Sequence, residues 1–226
     1  MLASAAACTR ATPARIVSVP GNRLAALNSA VQAVSNARTA LIADISAVQA
    51  AASALDDADG VCATGKGLAA RSSHRTAGSA VGAAEGALKK LPADVTSYTG
   101  ALGRLDAAAG TAPPAQEALR QAVTDGRAEA EAARRFRTAA AAAWPRYARL
   151  DEDESTWITR ALTPWYRTDA EGASAYAVLV SGTRPALEVA RSALSTASQQ
   201  AVQASAATST ALVAADQALS GLRTAR

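Results

Sequence analysis

The sequence has one histidine, one methionine, one phenylalanine and two cysteines in 226 residues, and aromatics make up only 4% of it. A single histidine, His74, rules out zinc sites built on histidine pairs. It also leaves no catalytic triad within reach, because Ser72 and Ser73 sit too close to it along one helix to orient it. Lysine is scarce as well, with Lys66, Lys89 and Lys90 against an arginine majority. That bias reads as GC-rich coding rather than as selection for guanidinium chemistry. No run of ~18 apolar residues free of charges and breakers is present, and a membrane-spanning helix needs one. The net charge of +4 is scattered among acids instead of forming the basic stripe that tracks a phosphate backbone. The densest basic group, Arg127, Arg134, Arg135 and Arg137, is interrupted by Glu129 and Glu131 and reads as a solvated helix face. Nucleic acid is not an expected partner.

Alanine is what the chain has in abundance, at roughly a quarter to a third of all residues, several times its usual share. It accounts for much of the 50% apolar content. Alanine is the best helix former and carries little apolar area. Such a chain forms helices readily and packs them closely, but gains modest burial per residue, so length has to compensate. No period-two strand pattern occurs. The expected fold is all-α: an elongated up-down bundle of three to four long alanine-rich helices with coiled-coil-like heptad seams, in one domain spanning residues 22–226.

The first helix is expected over residues 22–57. Leu24, Leu27, Val31, Val34, Arg38, Leu41, Ile45, Val48, Ala52 and Leu55 keep alternating three- and four-residue spacing, and only Arg38 breaks the apolar seam. Arg38 is expected to snorkel or to pair with a carboxylate, either Asp44 or one on a neighbouring helix. A second helix is expected over 66–109, kinked at Pro92, because the phase from Ala77 to Ala109 continues unbroken through the proline. A third is expected over 113–149, with a mostly alanine seam. A short helix over 154–162 and a last long one over 169–224, bent near Gly182 and Pro185, complete the set. Short connections favour antiparallel neighbours.

Residues 1–21 read as a signal remnant or a flexible linker. The small residues Ala5, Ala6 and Ala7 before Cys8 fit the end of a secretory signal. They also resemble the lipobox of bacterial lipoproteins, in which the cysteine is lipidated and becomes the first mature residue. Where that pattern has leucine, this chain has Ala5. The resemblance implies an extracytoplasmic location, secreted or lipid-anchored through Cys8, with any membrane association resting on that lipid. Cys62 is the second cysteine. In an oxidising compartment Cys8 and Cys62 could form a disulfide; with Cys8 lipidated, Cys62 is an unpaired thiol; in a reducing cytosol both are free.

Several motifs fail on inspection. Gly60 to Gly67 fits most of the phosphate-binding loop pattern, but Gly67 stands where a hydroxyl must hold magnesium, and there is no parallel sheet to mount the loop. A glycine-rich turn between helices explains it. Asp56, Asp57 and Asp59 miss the EF-hand spacing and read as solvated acids closing a helix. Asp151, Glu152, Asp153 and Glu154 read as acids favoured at a helix N-terminus. His74 reads as a core or interface histidine. No metal, nucleotide, cofactor or catalytic group is expected.

One feature does stand out. Trp144, Tyr147, Trp157, Trp165, Tyr166 and Tyr176 gather all three tryptophans and three of the four tyrosines in one stretch. They form either a recognition patch or, the preferred reading, a plug filling the bundle end where alanine seams leave space. The expected function is a non-enzymatic, exported or cell-envelope helical protein acting through contact with a protein partner or by self-association. The alternative is an extracytoplasmic, sensor-like bundle that binds a small ligand with the aromatic cluster.

Overall fold

Leu27, Val34, Leu41, Val48 and Leu55 are buried along one side of a single helix, α1 (Gly21–Cys62), as their spacing requires. The same logic builds α2 (Gly67–Ala109) on Ala77, Ala84, Leu91, Tyr98 and Leu105, and α3 (Gln116–Ala161) on Leu119, Ala133, Phe136 and Ala140. A 12-residue α4 (Asp169–Val180) and the long α5 (Arg184–Thr224) follow. The computed structural model describes residues 20–110, 112–162 and 168–224, and these form five helices packed together, with no strand among them. The four long helices have 41 to 46 residues, so each is a rod of about 60–70 Å at ~1.5 Å per residue.

Short links at 63–66 and 110–115 fold α2 back along α1 and α3 back along α2. α5 packs mainly on α3 and reaches α1 chiefly through longer side chains. Gln49 bonds Ser198, and Arg38 bonds Ser205 and Ser209, so residue numbers fall along α5 as they rise along α1. Glycine makes the α2–α3 approach close. A Cβ at Gly126 would lie 2.5 Å from Leu102 Cδ2 and 3.0 Å from the Tyr98 hydroxyl.

The helix ends differ from expectation in three places, each with a local cause. α1 runs on to Cys62 instead of closing at residue 57, because Ala58, Asp59 and Cys62 all have buried neighbours to pack against. The helices expected at 113–149 and 154–162 are one element, α3. Pro145 lies on its exposed face, where the carbonyl that a proline leaves without its helical partner is open to solvent. The acidic run stays helical because Tyr147, Leu150, Glu154, Trp157 and Ile158 keep one buried phase through it. The expected final helix is two elements. The chain turns at 181–183, and Pro185 stands at the second position of α5, where a missing N–H costs no helical bond. α4 begins with Thr168, whose hydroxyl accepts the Glu171 N–H, a capping arrangement with the acid three residues on. Pro92 does remain inside α2.

Arg38 is the seam-breaking residue, and it pairs across the interior rather than with Asp44. Its Nε lies 3.0 and 2.9 Å from the two oxygens of Glu129, while Nη2 donates to the Ser205 carbonyl and to the Ser205 and Ser209 hydroxyls. Tyr98 donates to the same Glu129 at 2.7 Å. Glu129, read from sequence as solvated, is only 3% exposed. One polar layer thus joins α1, α2, α3 and α5. Higher along the α1–α2 contact, burial and then the shared hydrogen bond and charge of Asp94 raise Asp44 to about 6, against the pull of Lys90.

Glu129→Ala leaves the Arg38 charge interior and unpaired, and chemical denaturation is expected to show a loss of about 3–5 kcal/mol. Asp44 gives a pH signature. Folded Asp44 keeps a proton that the unfolded chain releases near 3.8, so its contribution favours the fold at low pH and fades as pH rises toward about 6. Melting curves at pH 4 and pH 7 are expected to differ less in Asp44→Asn than in the parent protein.

Candidate functional site

Most of the chain's unusual chemistry lies at one end of the array, around the α1–α2 turn, the last turns of α3, and α4. The turn depends on Gly65, which has φ +79° and lies against the N-terminus of α4. A Cβ there would fall 1.8 Å from the Asp169 carbonyl oxygen, and one at Gly172 would fall 3.0 Å from the Gly65 carbonyl oxygen. Backbone therefore meets backbone. Gly60, by contrast, is an ordinary exposed residue of α1.

Trp157 and Tyr176 hold α4 in place from inside. Trp157 donates its indole N–H to the Gly172 carbonyl at 2.9 Å and meets Tyr176 edge-on at 5.4 Å between ring centroids. Tyr176 donates to Asp59 at 2.8 Å and Tyr147 to Asp56 at 3.2 Å. Tyr147, Trp157 and Tyr176 are all buried, while Trp144 is half-buried, 6.2 Å from Tyr147 between ring centroids. Trp165 and Tyr166 lie outside the described residues. Burial and the adjacent carboxylates push the Tyr147 phenol up to about 12 and that of Tyr176 higher still.

Asp56 and Asp59 do not end a helix in solvent, as their sequence context suggested. Asp59 is 5% exposed and is held by Arg184 at 2.8 Å and Arg191 at 3.0 Å, while Arg191 Nε bonds Asp56 at 2.6 Å. Burial raises Asp56 even against this pairing. Among the described residues Cys62 is buried and has no disulfide partner, and its thiol is raised well above its ordinary value by burial and by the charges of Glu154 and Asp59. Cys8 lies outside the described residues.

The acidic run departs furthest from expectation. Asp151 to Glu154 sit near the middle of the second half of α3, not at an N-terminus, and Asp153 and Glu154 point inward. Asp153 accepts from Thr183 and pairs with Arg149. Glu154 is fully buried, and neither of its oxygens has a hydrogen-bond partner. Burial, followed by the charges of Asp59 and Asp151, raises it to about 8. His74, from α2, places Nε2 2.9 Å from Asp151 Oδ1 and 3.3 Å from the Asp151 carbonyl oxygen. His74, Asp151 and Glu154 offer ligand atoms that all lie within 4.8 Å of one another. Sequence reasoning missed this grouping. The three- and four-residue phase linking Tyr147, Leu150, Glu154, Trp157 and Ile158 was the signal that one acid of the run faces inward.

Around the α1–α2 turn and the end of α3 lies a recess of about 600 Å³ lined by Gly65, Gly67, Leu68, Ala161, Leu162 and Asp169. Leu68 is 77% exposed and Leu162 38%. Among the described residues, no helix is long and apolar enough to cross a membrane.

With Trp144 and Trp165 both replaced by Phe, the remaining Trp157 is expected to resist acrylamide, with a quenching constant far below that of a free tryptophan peptide. Quenching at the peptide level would put Trp157 in solvent and remove the anchor of α4. No protein-family model matches the chain, and no curated protein or solved structure is significantly similar to it.

Proposed function

We propose that the protein is a non-enzymatic helical scaffold that works by holding a protein partner at the end of the array formed by the α1–α2 turn and α4. The observation that carries this reading is the pair Leu68 and Leu162, large apolar side chains exposed at the rim of one recess. Single exposed leucines are ordinary; two flanking a concave surface form the kind of apolar centre on which protein contacts are built. The interior carboxylates Asp56, Asp59, Asp153 and Glu129 are tied to arginines, which favours a structural role for them over acid–base chemistry. In this reading the four long helices form an up-down bundle with heptad-phased seams, a rigid mount for the end surface. In the same reading the protein works outside the cytoplasm, at the cell envelope, secreted or lipid-anchored; the small residues before Cys8 support this. A second copy of the chain is the other candidate occupant.

Ligand binding is the second reading, because about 600 Å³ suits a small molecule. It takes a different form from the aromatic pocket expected from sequence, since Tyr147, Trp157 and Tyr176 are consumed in packing.

A photo-crosslinking residue at position 68, in cells of the native host, is expected to yield one discrete adduct that is absent when the same residue replaces exposed Glu85. Leu68→Asp is expected to abolish partner binding with helicity by circular dichroism unchanged. Equal adducts from positions 68 and 85 would sink the docking reading. An adduct with the mass of two chains would identify self-association.

A further inference from the structure

The buried end of α3 contains an unsolved electrostatic problem. Glu154 is fully enclosed, and neither oxygen accepts a hydrogen bond. Leaving a carboxyl group in that condition costs several kcal/mol in general, whether it is charged or neutral. The arginines nearby are engaged elsewhere: Arg191 with Asp56, Asp59 and Glu188, Arg184 with Asp59, and Arg149 with Glu152 and Asp153. Asp151 Oδ1 is also buried without an aligned hydrogen bond, although His74 Nε2 is 2.9 Å away. A cation placed between the three groups would satisfy both orphaned carboxylates at once.

We propose that His74, Asp151 and Glu154 bind a divalent transition-metal ion of the zinc class and so clamp α2 to α3. Asp151 and Glu154 stand three residues apart on α3, the spacing that puts two side chains on one face. His74 meets them from the facing helix. Their ligand atoms lie within 4.8 Å of one another, and two ligands on a zinc ion with bonds of about 2.0–2.2 Å sit roughly 3–3.5 Å apart. Only small side-chain shifts are needed to close around an ion.

The donor set selects the metal. One imidazole nitrogen with two carboxylates is too nitrogenous for calcium or magnesium, which take oxygen ligands, and it holds no thiolate to favour copper(I). Among the remaining divalent ions affinity rises from manganese through iron, cobalt and nickel to copper(II), with zinc below copper, so the donor set points to this transition-metal class, of which zinc is the member tested. Three protein ligands leave a further position for water. The side chains of His74 and Asp151 are 21% and 33% exposed, so the ion's open side faces solvent while Glu154 forms the floor. This inference does not depend on the recess holding a partner.

The test uses the full-length protein, stripped with a chelator, dialysed and kept reduced. Calorimetric titration with Zn²⁺ is expected to show one ion per chain and a raised melting temperature. His74→Ala and Glu154→Gln are each expected to weaken binding by at least about tenfold. His74→Ala alters only a partly exposed side chain, so circular dichroism is expected to show its helices intact. Cys62→Ser is expected to bind as the parent does, and Co²⁺ loaded into the site should show d–d bands without sulfur charge transfer. Absence of zinc binding, or equal binding by the parent and both ligand variants, overturns the site. Binding of Mg²⁺ or Ca²⁺ with the affinity of Zn²⁺ overturns the assigned class.

Discussion

Helices faced with alanine have little to tell them how far to slide past one another, because each step along the seam buries nearly the same small surface. The Arg38–Glu129 pair supplies what alanine does not. It is interior, with one Nε–H shared between both Glu129 oxygens, and it also engages Tyr98, Ser205 and Ser209, so it is satisfied at only one alignment of four helices. Desolvating both charges offsets much of their mutual attraction, so the pair adds little net stability. Its weight lies in the alternatives: one turn out of register, an arginine and a glutamate are each buried alone. The Asp59, Arg184 and Arg191 group repeats the device near the other end of α1.

Much of the helical layout was legible in the sequence because it rests on period. The three-and-four spacing of leucine and valine in α1 and α2 reports burial directly, and Pro92 could be placed within a helix because the phase passed through it undisturbed. What was illegible was polar burial. Asp59 and Glu129 were read as solvent-facing, and Asp153 and Glu154 as acids of a helix N-terminus, yet all four are buried. A carboxylate's burial is decided by a partner on another helix, and no local pattern carries that partner's position. The Arg38–Glu129 contact spans 91 residues and the Asp59–Arg191 contact 132. The two-helix reading of residues 113–162 failed for the same reason. Acids were taken as a helix start when their inward phase with Tyr147 and Trp157 marked a continuation.

The two ends of the array are chemically unequal. Around the α1–α2 turn, glycine backbones touch, Trp157 packs against Tyr176 of α4, and Asp56, Asp59 and Glu188 share two arginines. Such crowding is costly for folding alone, and buried groups pushed away from their ordinary protonation are a mark of functional regions. The two proposals drawn from this end are distinct in chemistry: apolar contact at Leu68 and Leu162, and metal ligation at His74, Asp151 and Glu154. They share a floor, since α3 supplies Leu150 to Ile158 to the interior and ends beneath the recess.

Tyr98, Tyr147 and Tyr176 all donate their phenolic hydrogen to a carboxylate that an arginine also holds. Ionising any of these phenols would set two negative oxygens face to face in a region with little water. All three are pushed well above the ordinary phenol range, so the rings stay neutral while the helices remain docked. Their phenolate absorbance is therefore withheld until the interior opens. In alkali the ultraviolet absorbance of these phenolates follows the separation of the helices more than the ordinary acidity of tyrosine.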